Sequence, residues 1–282
     1  MSDGVVLVVR MNEFASREAN THVPWTPEEV AADAAACVQA GAAVVHFHGR
    51  TADGAGDSAA ATLSRTVELI ADACDAVTYC TLGAGTGLDR ETRLATLTDA
   101  VTKPDIAPVD LGSFNLDPYD ATTKRFRTEE GVYVNTVGTV RHLAEGIVAA
   151  GVVPSAVSWS IGSLRLLGAL LEQGTWPVPV FAELVLSDSL LVTNPATAAG
   201  LEHLLAFLPA VDVEWTVLCA AGSILPMVDT IVAAGGGLAF GLGDHHYDGR
   251  TNAEVVTAVA EQLDRLGRRP ATPAELRARL RP

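Results

Sequence analysis

Two histidines separated by one residue, His46 and His48, carry the sharpest chemical signal in this 282-residue sequence. In an extended strand, residues two apart project to the same face, so both imidazoles point together. The preceding run Ala42-Ala43-Val44-Val45 is apolar and sets the pair at the C-terminal end of a buried strand. Two neutral imidazoles side by side are half of a site for Zn²⁺ or another divalent metal. A hydrogen-bonded polar pair at a strand end is the structural alternative. A second constellation, Gly241-Leu242-Gly243-Asp244-His245-His246, follows the last apolar run. Asp244 there is suited to act as a base, to ligate metal or to orient another group. His245 is a candidate third metal ligand, and His246 reads as exposed loop. Asn12-Glu13 lies just beyond the first strand-forming run. Glu13 is a candidate base or ligand and Asn12 a candidate substrate contact. Arg10 offers a planar fork for a carboxylate, or equally for a structural ion pair. Thr81 with the loop Gly83-Ala84-Gly85, and Ser113 after Gly112, present hydroxyl and backbone N–H donors for a carboxylate or phosphate oxygen. A helix-entry turn accounts for the same residues.

These side chains need a scaffold that brings several strand ends together. Strand-forming runs are read at Val5–Arg10, Ala43–His48, Ala76–Thr81, Asp105–Leu111, Ala156–Ile161, Val178–Leu186, Val213–Cys219 and Leu238–Leu242. Helical patterns separate them. The first opens with Thr26-Pro27-Glu28-Glu29, where Thr26 caps, proline suits the first turn and Glu29 can return a bond. It stops at Gly41. The others lie near Ala61–Asp75, Arg90–Val101, Val137–Ala150, Ser163–Glu172, Ala196–Leu208, Ile224–Ala234 and Asn252–Leu266. Asp89 and Glu91 suit a helix start. Strict alternation implies parallel strands joined by helical crossovers, and closure leaves no edge strand. The expectation is a single α/β domain, a (β/α)8 TIM barrel, whose site lies at the C-terminal strand ends. An open doubly wound sheet is the alternative, but no Gly-x-Gly-x-x-Gly follows the first strand. The Arg-rich stretch from Arg265 to Arg281 reads as a solvated face.

Composition narrows the partners. The formal charge of −15 argues against nucleic acid and against an anionic membrane surface. No apolar run reaches the ~18 residues of a membrane span. The N-terminus lacks signal-peptide features, and four scattered cysteines suggest a reducing compartment, so the expected location is cytoplasmic.

Several segments together resemble the beta-keto acid cleavage enzyme family. They are Pro24–Glu29, Ala40-Gly41-Ala42, His46–Arg50, Lys103-Pro104-Asp105, Asp110–Asn115, Val134-Asn135-Thr136, Gly241–Asp244 and Ala271–Glu275, in order and with matching spacing. The resemblance implies an α/β barrel with Zn²⁺ held by His46, His48 and a glutamate after the eighth strand. It implies a retro-Claisen reaction in which a small keto acid and acetyl-CoA give acetoacetate and a new CoA thioester, the metal polarising the keto carbonyl. It also implies a homo-oligomer, usually a tetramer. Thr81 matches a substrate-contacting hydroxyl position and Asp244 the family's aspartate. Other positions depart. Gly243 stands where the ligating glutamate belongs, and Ala239 stands where a catalytic arginine belongs. Pro108 replaces a hydroxyl residue, Val157 a glutamate, and Phe14 a glutamate for which Glu13 next door can substitute. The third ligand is open among His245, Glu13, Asp244 and Glu183. Arg10, Phe14, Trp25, Phe114 and Trp159 form a candidate aromatic and cationic wall for the substrate. Two other readings use the same barrel. One is a different metal-dependent lyase or hydrolase; the other is a non-catalytic protein binding small carboxylates. An amidohydrolase-type site would need histidines on strands five and six, which have none.

Overall fold

A computed structural model describes residues 4–83 and 87–281. Eight parallel strands close into a barrel: β1 Leu7–Arg10, β2 Val44–Phe47, β3 Val77–Cys80, β4 Ile106–Asp110, β5 Val153–Ser158, β6 Val180–Leu186, β7 Val213–Cys219 and β8 Gly237–Phe240. Each pairs with its sequence neighbours, and β8 returns to β1 with Ala239 opposite Val8. Eight helices follow the strands outside: α1 Pro27–Ala40, α2 Ala60–Ala73, α3 Arg90–Thr98, α4 Val137–Ala149, α5 Ile161–Glu172, α6 Ala198–Leu205, α7 Val228–Ala233 and α8 Asn252–Arg265. This is the (β/α)8 barrel expected from the alternation.

Local chemistry sets the ends. Thr26 and Glu29 form the anticipated capping box on α1, with reciprocal bonds of 3.3 and 3.0 Å. Gly41 ends that helix at φ 119°, a left-handed conformation that glycine adopts without strain. The strand expected over Ala156–Ile161 is shifted toward the N-terminus, because Ser160 caps α5 and the strand must stop at Ser158. The helix expected from Ile224 begins as a 3₁₀ turn over Leu225–Met227, where Pro226 cannot supply a helical N–H.

Alternation along each strand sorts side chains between two cores. One set packs against the helices. The other fills the barrel, with Val8, Val44, Val77, Ile106, Phe181 and Ala239 buried in its lower layers. The same period of two brings Arg10, His46, Tyr79, Asp110 and Glu183 onto the lumen side at the upper ends.

Two regions were not read correctly from sequence. Between β4 and α4 the chain forms two short antiparallel ladders, Phe114–Asn115 with Val132–Tyr133 and Tyr119–Asp120 with Arg125–Phe126. They stand at the mouth. The Arg-rich C-terminal stretch is not simply a solvated face. Arg269–Pro270 pairs with Gly4–Val5, and a ninth helix, α9 Pro273–Arg279, closes the bottom of the barrel. Its apolar side buries Leu276, with Ala271 and Leu280 flanking, in the inner core. Its arginines face outward to Asp75 at 2.8 Å (Arg277) and Glu214 at 3.1 Å (Arg279).

Candidate active site and metal centre

The upper end of the barrel holds a cavity of about 680 Å³. His46, at the end of β2, and His48, two residues on, present their rings to it 5.3 Å apart. Glu13 reaches the same point from the loop after β1. One potential ligand atom from each of Glu13, His46 and His48 lies within 4.8 Å of the others, and no other such group occurs among the described residues. Both Glu13 carboxylate oxygens and His46 Nδ1 are buried without a hydrogen bond. Glu13 Oε1 faces His46 Nε2 at 3.3 Å, and a carboxylate and two imidazoles converging in this way fit a divalent cation. Burial, with Arg10 adding repulsion, holds His46 well below its ordinary range and His48 down to about 3. Both imidazoles are therefore neutral, as ligation requires.

Glu13 is held by its backbone. Its φ of 24° lies where non-glycine residues incur strain. Arg50, itself buried, donates from Nε and Nη2 to Glu13 O and from Nη1 to Ala15 O at 2.7 Å. Asn12 fixes the neighbouring strand end. Its amide donates to His48 O and Pro24 O, both at 3.0 Å, and accepts from His48 N at 2.8 Å. Gly243 completes the arrangement by what it lacks. A Cβ there would lie 1.4 Å from Glu13 Oε2, so the Glu13 carboxylate fills the volume that a side chain at 243 would take.

Arg10 sits among acids. Its Nε donates to Asp244 Oδ2 at 2.8 Å, while Nη2 lies 3.1 Å from Glu13 and Nη1 3.7 Å from Glu183. Burial acts to lower its pKa, but these three carboxylates outweigh burial and raise it. Glu13 and Asp244 are pushed up by burial, against the pull of Arg10. A divalent ion beside Glu13 would reverse that push, since an opposite charge favours the carboxylate. Tyr79 donates its hydroxyl to Glu183 Oε2 at 2.8 Å, leaving Glu183 Oε1 buried and unpaired. Across the mouth, Asp110 accepts from Trp159 Nε1 at 2.7 Å and from the Tyr133 hydroxyl at 3.0 Å.

Residues 5–281 match the sequence profile of the family described as beta-keto acid cleavage enzyme. The chain belongs to the beta-keto acid cleavage enzyme family. It is similar to the 3-keto-5-aminohexanoate cleavage enzyme of Acetoanaerobium sticklandii, 26% identical over 93% of this chain and 92% of that protein. It is also similar to the 3-dehydrocarnitine:acetyl-CoA trimethylamine transferase of Rhizobium meliloti, 26% identical over 93% and 91% of the two chains. Among solved structures, apo ObcA shares the fold with a TM-score of 0.71 at 18% identity. That match covers 92% of this chain but only 65% of ObcA, so this chain spans less than two thirds of that protein. The family match establishes an enzyme of the beta-keto acid cleavage type.

In this beta-keto acid cleavage enzyme the structure brings together Arg10, Glu13, His46, His48, Thr81 and Asp244 on one cavity. It does not bring the other candidates there. Asn12 is fully buried and committed to backbone groups, so it positions His48 and has no donor left for substrate. His245 is turned away by the tight turn in which Asp244 N and His245 N both donate to Gly241 O. It stacks on His246 at 4.6 Å and does not join Glu13 and the histidines. Ser113 is exposed and its hydroxyl accepts from Asn135 N at 2.8 Å. Gly83 lines a neighbouring cavity of about 600 Å³ that also touches Thr81 and Trp25, while Ala84 and Gly85 lie outside the described residues. Arg10 is turned to the chain's own carboxylates, the structural alternative noted for it. Asp110, Tyr133 and Tyr79 were missed. Asp110 carried a usable signal, since it is the polar residue that ends an otherwise apolar strand. Among the described residues no helix is long and apolar enough to cross a membrane.

Proposed function

We propose that the protein cleaves a small beta-keto acid with acetyl-CoA, giving acetoacetate and a new CoA thioester, at a divalent metal held by Glu13, His46 and His48. The convergence of those three side chains, with one potential ligand atom from each within 4.8 Å of the others, carries this reading. Zn²⁺ suits two imidazoles and a carboxylate. When bound, the metal supplies Lewis-acid polarisation of the keto carbonyl.

The chain's own residues supply the rest. Asp244 is the group placed to take the proton from the carbon between keto and carboxylate groups and later to return it. Arg10 holds Asp244 in one orientation through its Nε bond and keeps three carboxylates from repelling one another. It also supplies, from β1, the cationic character that Ala239 on the adjacent β8 lacks. Thr81 at the rim offers a hydroxyl to the substrate carboxylate. The carbanion so formed attacks the acetyl carbonyl and expels CoA thiolate. The thiolate then attacks the original keto carbon, releasing acetoacetate and leaving the new thioester. Buried apolar walls from Val157, Val185 and Leu218 exclude water, which would otherwise hydrolyse it.

The far wall suggests the substituent. Asp110 is bonded only by neutral donors, and the rings of Trp159 and Tyr133 lie beside it, with Phe114 tilted against Trp159, ring centres 4.5 Å apart. A carboxylate flanked by aromatic rings favours an ammonium group. Two relatives' names include an amino and a trimethylamine group, which agrees with this choice. A homotetramer in the cytoplasm belongs to the same reading and is checked by light scattering and fractionation.

The test is a thioester-product assay with acetyl-CoA on protein of measured metal content. About one metal per chain, lost in Glu13→Gln and in His46→Ala, is expected together with acetoacetate formation. A keto acid ending in an ammonium group should exceed its neutral isostere by about tenfold in kcat/KM. Metal-free wild type that resists reconstitution, or no product with any keto acid, would defeat the proposal.

A further inference from the structure

The ladder Tyr119–Asp120 with Arg125–Phe126 is a small hairpin standing at the cavity rim. It carries Lys124 and Arg125 at its tip and Arg127 at its base, all exposed, and none lies within ion-pair distance of a carboxylate among the described residues. The three fall within four residues at the mouth of the barrel. The chain as a whole carries a charge of −15, so this cluster stands against the overall sign.

The nearby acids are turned into the loop. Asp120 accepts from Thr122 N at 2.8 Å and Thr123 Oγ1 at 2.9 Å. Asp117 accepts from Thr128 N at 2.9 Å and Thr128 Oγ1 at 2.8 Å. Glu129 and Glu130 follow beyond the hairpin. Lys124 adopts φ 56°, a left-handed position where glycine would avoid strain. Phe126 packs against Tyr119 at 5.2 Å and is 44% exposed. The hairpin is anchored over the mouth by the bond from Tyr119 N to Ser189 O in the loop after β6, at 2.8 Å. Arg127 also lines the cavity.

We propose that this hairpin docks the nucleotide end of the CoA thioester, with Lys124, Arg125 and Arg127 on its phosphates and Phe126 against its adenine. The inference rests on the acetyl-CoA reading above. The thioester must enter the cavity, and its long flexible arm carries the phosphorylated end back out to the rim. Unpaired guanidinium and ammonium groups beside an exposed ring match phosphates beside a base. In a molecule of strong negative charge, such a local focus is what lets a polyanion approach.

The experiment measures binding of CoA and of pantetheine by calorimetry. It compares the wild type with Lys124→Gln/Arg125→Gln/Arg127→Gln and with Lys124→Gly, which removes one charge while relieving the left-handed strain and so tests the idea in a hairpin that keeps its fold. The triple variant should lose about tenfold or more in CoA affinity. Its affinity ratio of CoA to pantetheine should fall by the same factor, and Lys124→Gly should show a smaller loss in the same direction. CoA affinity unchanged in both variants would overturn the proposal. So would a shift in assembly size with CoA affinity retained, since the hairpin would then be a contact between copies. Wild-type protein that binds CoA through these residues yet cleaves no keto acid would uphold the docking site and overturn the reaction.

Discussion

Arg50 never reaches the cavity floor, yet the Glu13 carboxylate depends on it. Its guanidinium grips the carbonyls of Glu13 and Ala15 and stabilises a backbone angle that Glu13 would otherwise leave. Lysine offers a point charge and cannot span both carbonyls with a planar fork. Arg50→Lys is therefore expected to weaken metal affinity by about 10–100-fold, the usual cost of losing support behind a ligand. Competition with a coloured chelator reads this directly, and unchanged affinity would separate Arg50 from the centre. At this scale the two histidines were legible because a strand's period of two fixes where they point. Glu13 was legible only as an acid beyond β1. Its role depended on a left-handed loop angle and on empty space at Gly243, and neither leaves a mark in local residue patterns. His245 was misplaced for the opposite reason, because a tight turn on Gly241 reverses the direction that a continued strand would have given.

The loops after β1 and β8 meet where Gly243 faces Glu13, and that contact belongs to the pair of elements. Gly243→Ala drives a methyl group into the carboxylate, and one of the two loops must move. The expected outcome is loss of metal affinity by about tenfold or more with the barrel intact, followed by metal analysis and circular dichroism. The double change Glu13→Gly with Gly243→Glu should recover part of that affinity, because the carboxylate returns to the same space from the other loop. The alternation of strands and helices was legible almost throughout, since hydrophobic period and caps such as Thr26 act locally. The connection between β4 and α4 was not. Its ladders are two residues long, and their pairing across Phe114 and Tyr133 is set by contact with the mouth, not by strand propensity.

For the molecule as a whole, α9 determines how the lower end responds to acid. Arg269, by direct hydrogen bonds, and the Thr272 backbone hold Glu275 down from an ordinary 4.5 to about 2. A depressed carboxyl pKa stabilises the folded state above its unfolded value, and that stabilisation is lost as pH falls from about 4.5 toward about 2. Hydrogen exchange in α9 should therefore accelerate across that interval before the barrel strands respond. Glu275→Gln should abolish the pH dependence, and an unaltered profile in that variant would assign it elsewhere. The pair is at the surface, so added salt should blunt the effect. The role of this helix was hidden in the sequence because its many arginines read as solvated, whereas its buried side consists of little more than Leu276 between Ala271 and Leu280.

The pairing of Gly4–Val5 with Arg269–Pro270 also has a temporal consequence. These partners lie far apart in sequence, so on the ribosome Gly4–Val5 emerges long before the segment that seals it. Loop closure costs only about 0.6 kcal/mol per doubling of length, so the penalty falls on timing more than on final stability. Until Arg269–Pro270 and α9 have emerged, the lower rim of β1 has no cover, and Val6 and Val8 face solvent or a chaperone. The seam between Gly4–Val5 and Arg269–Pro270 can form only once the later segment has been made.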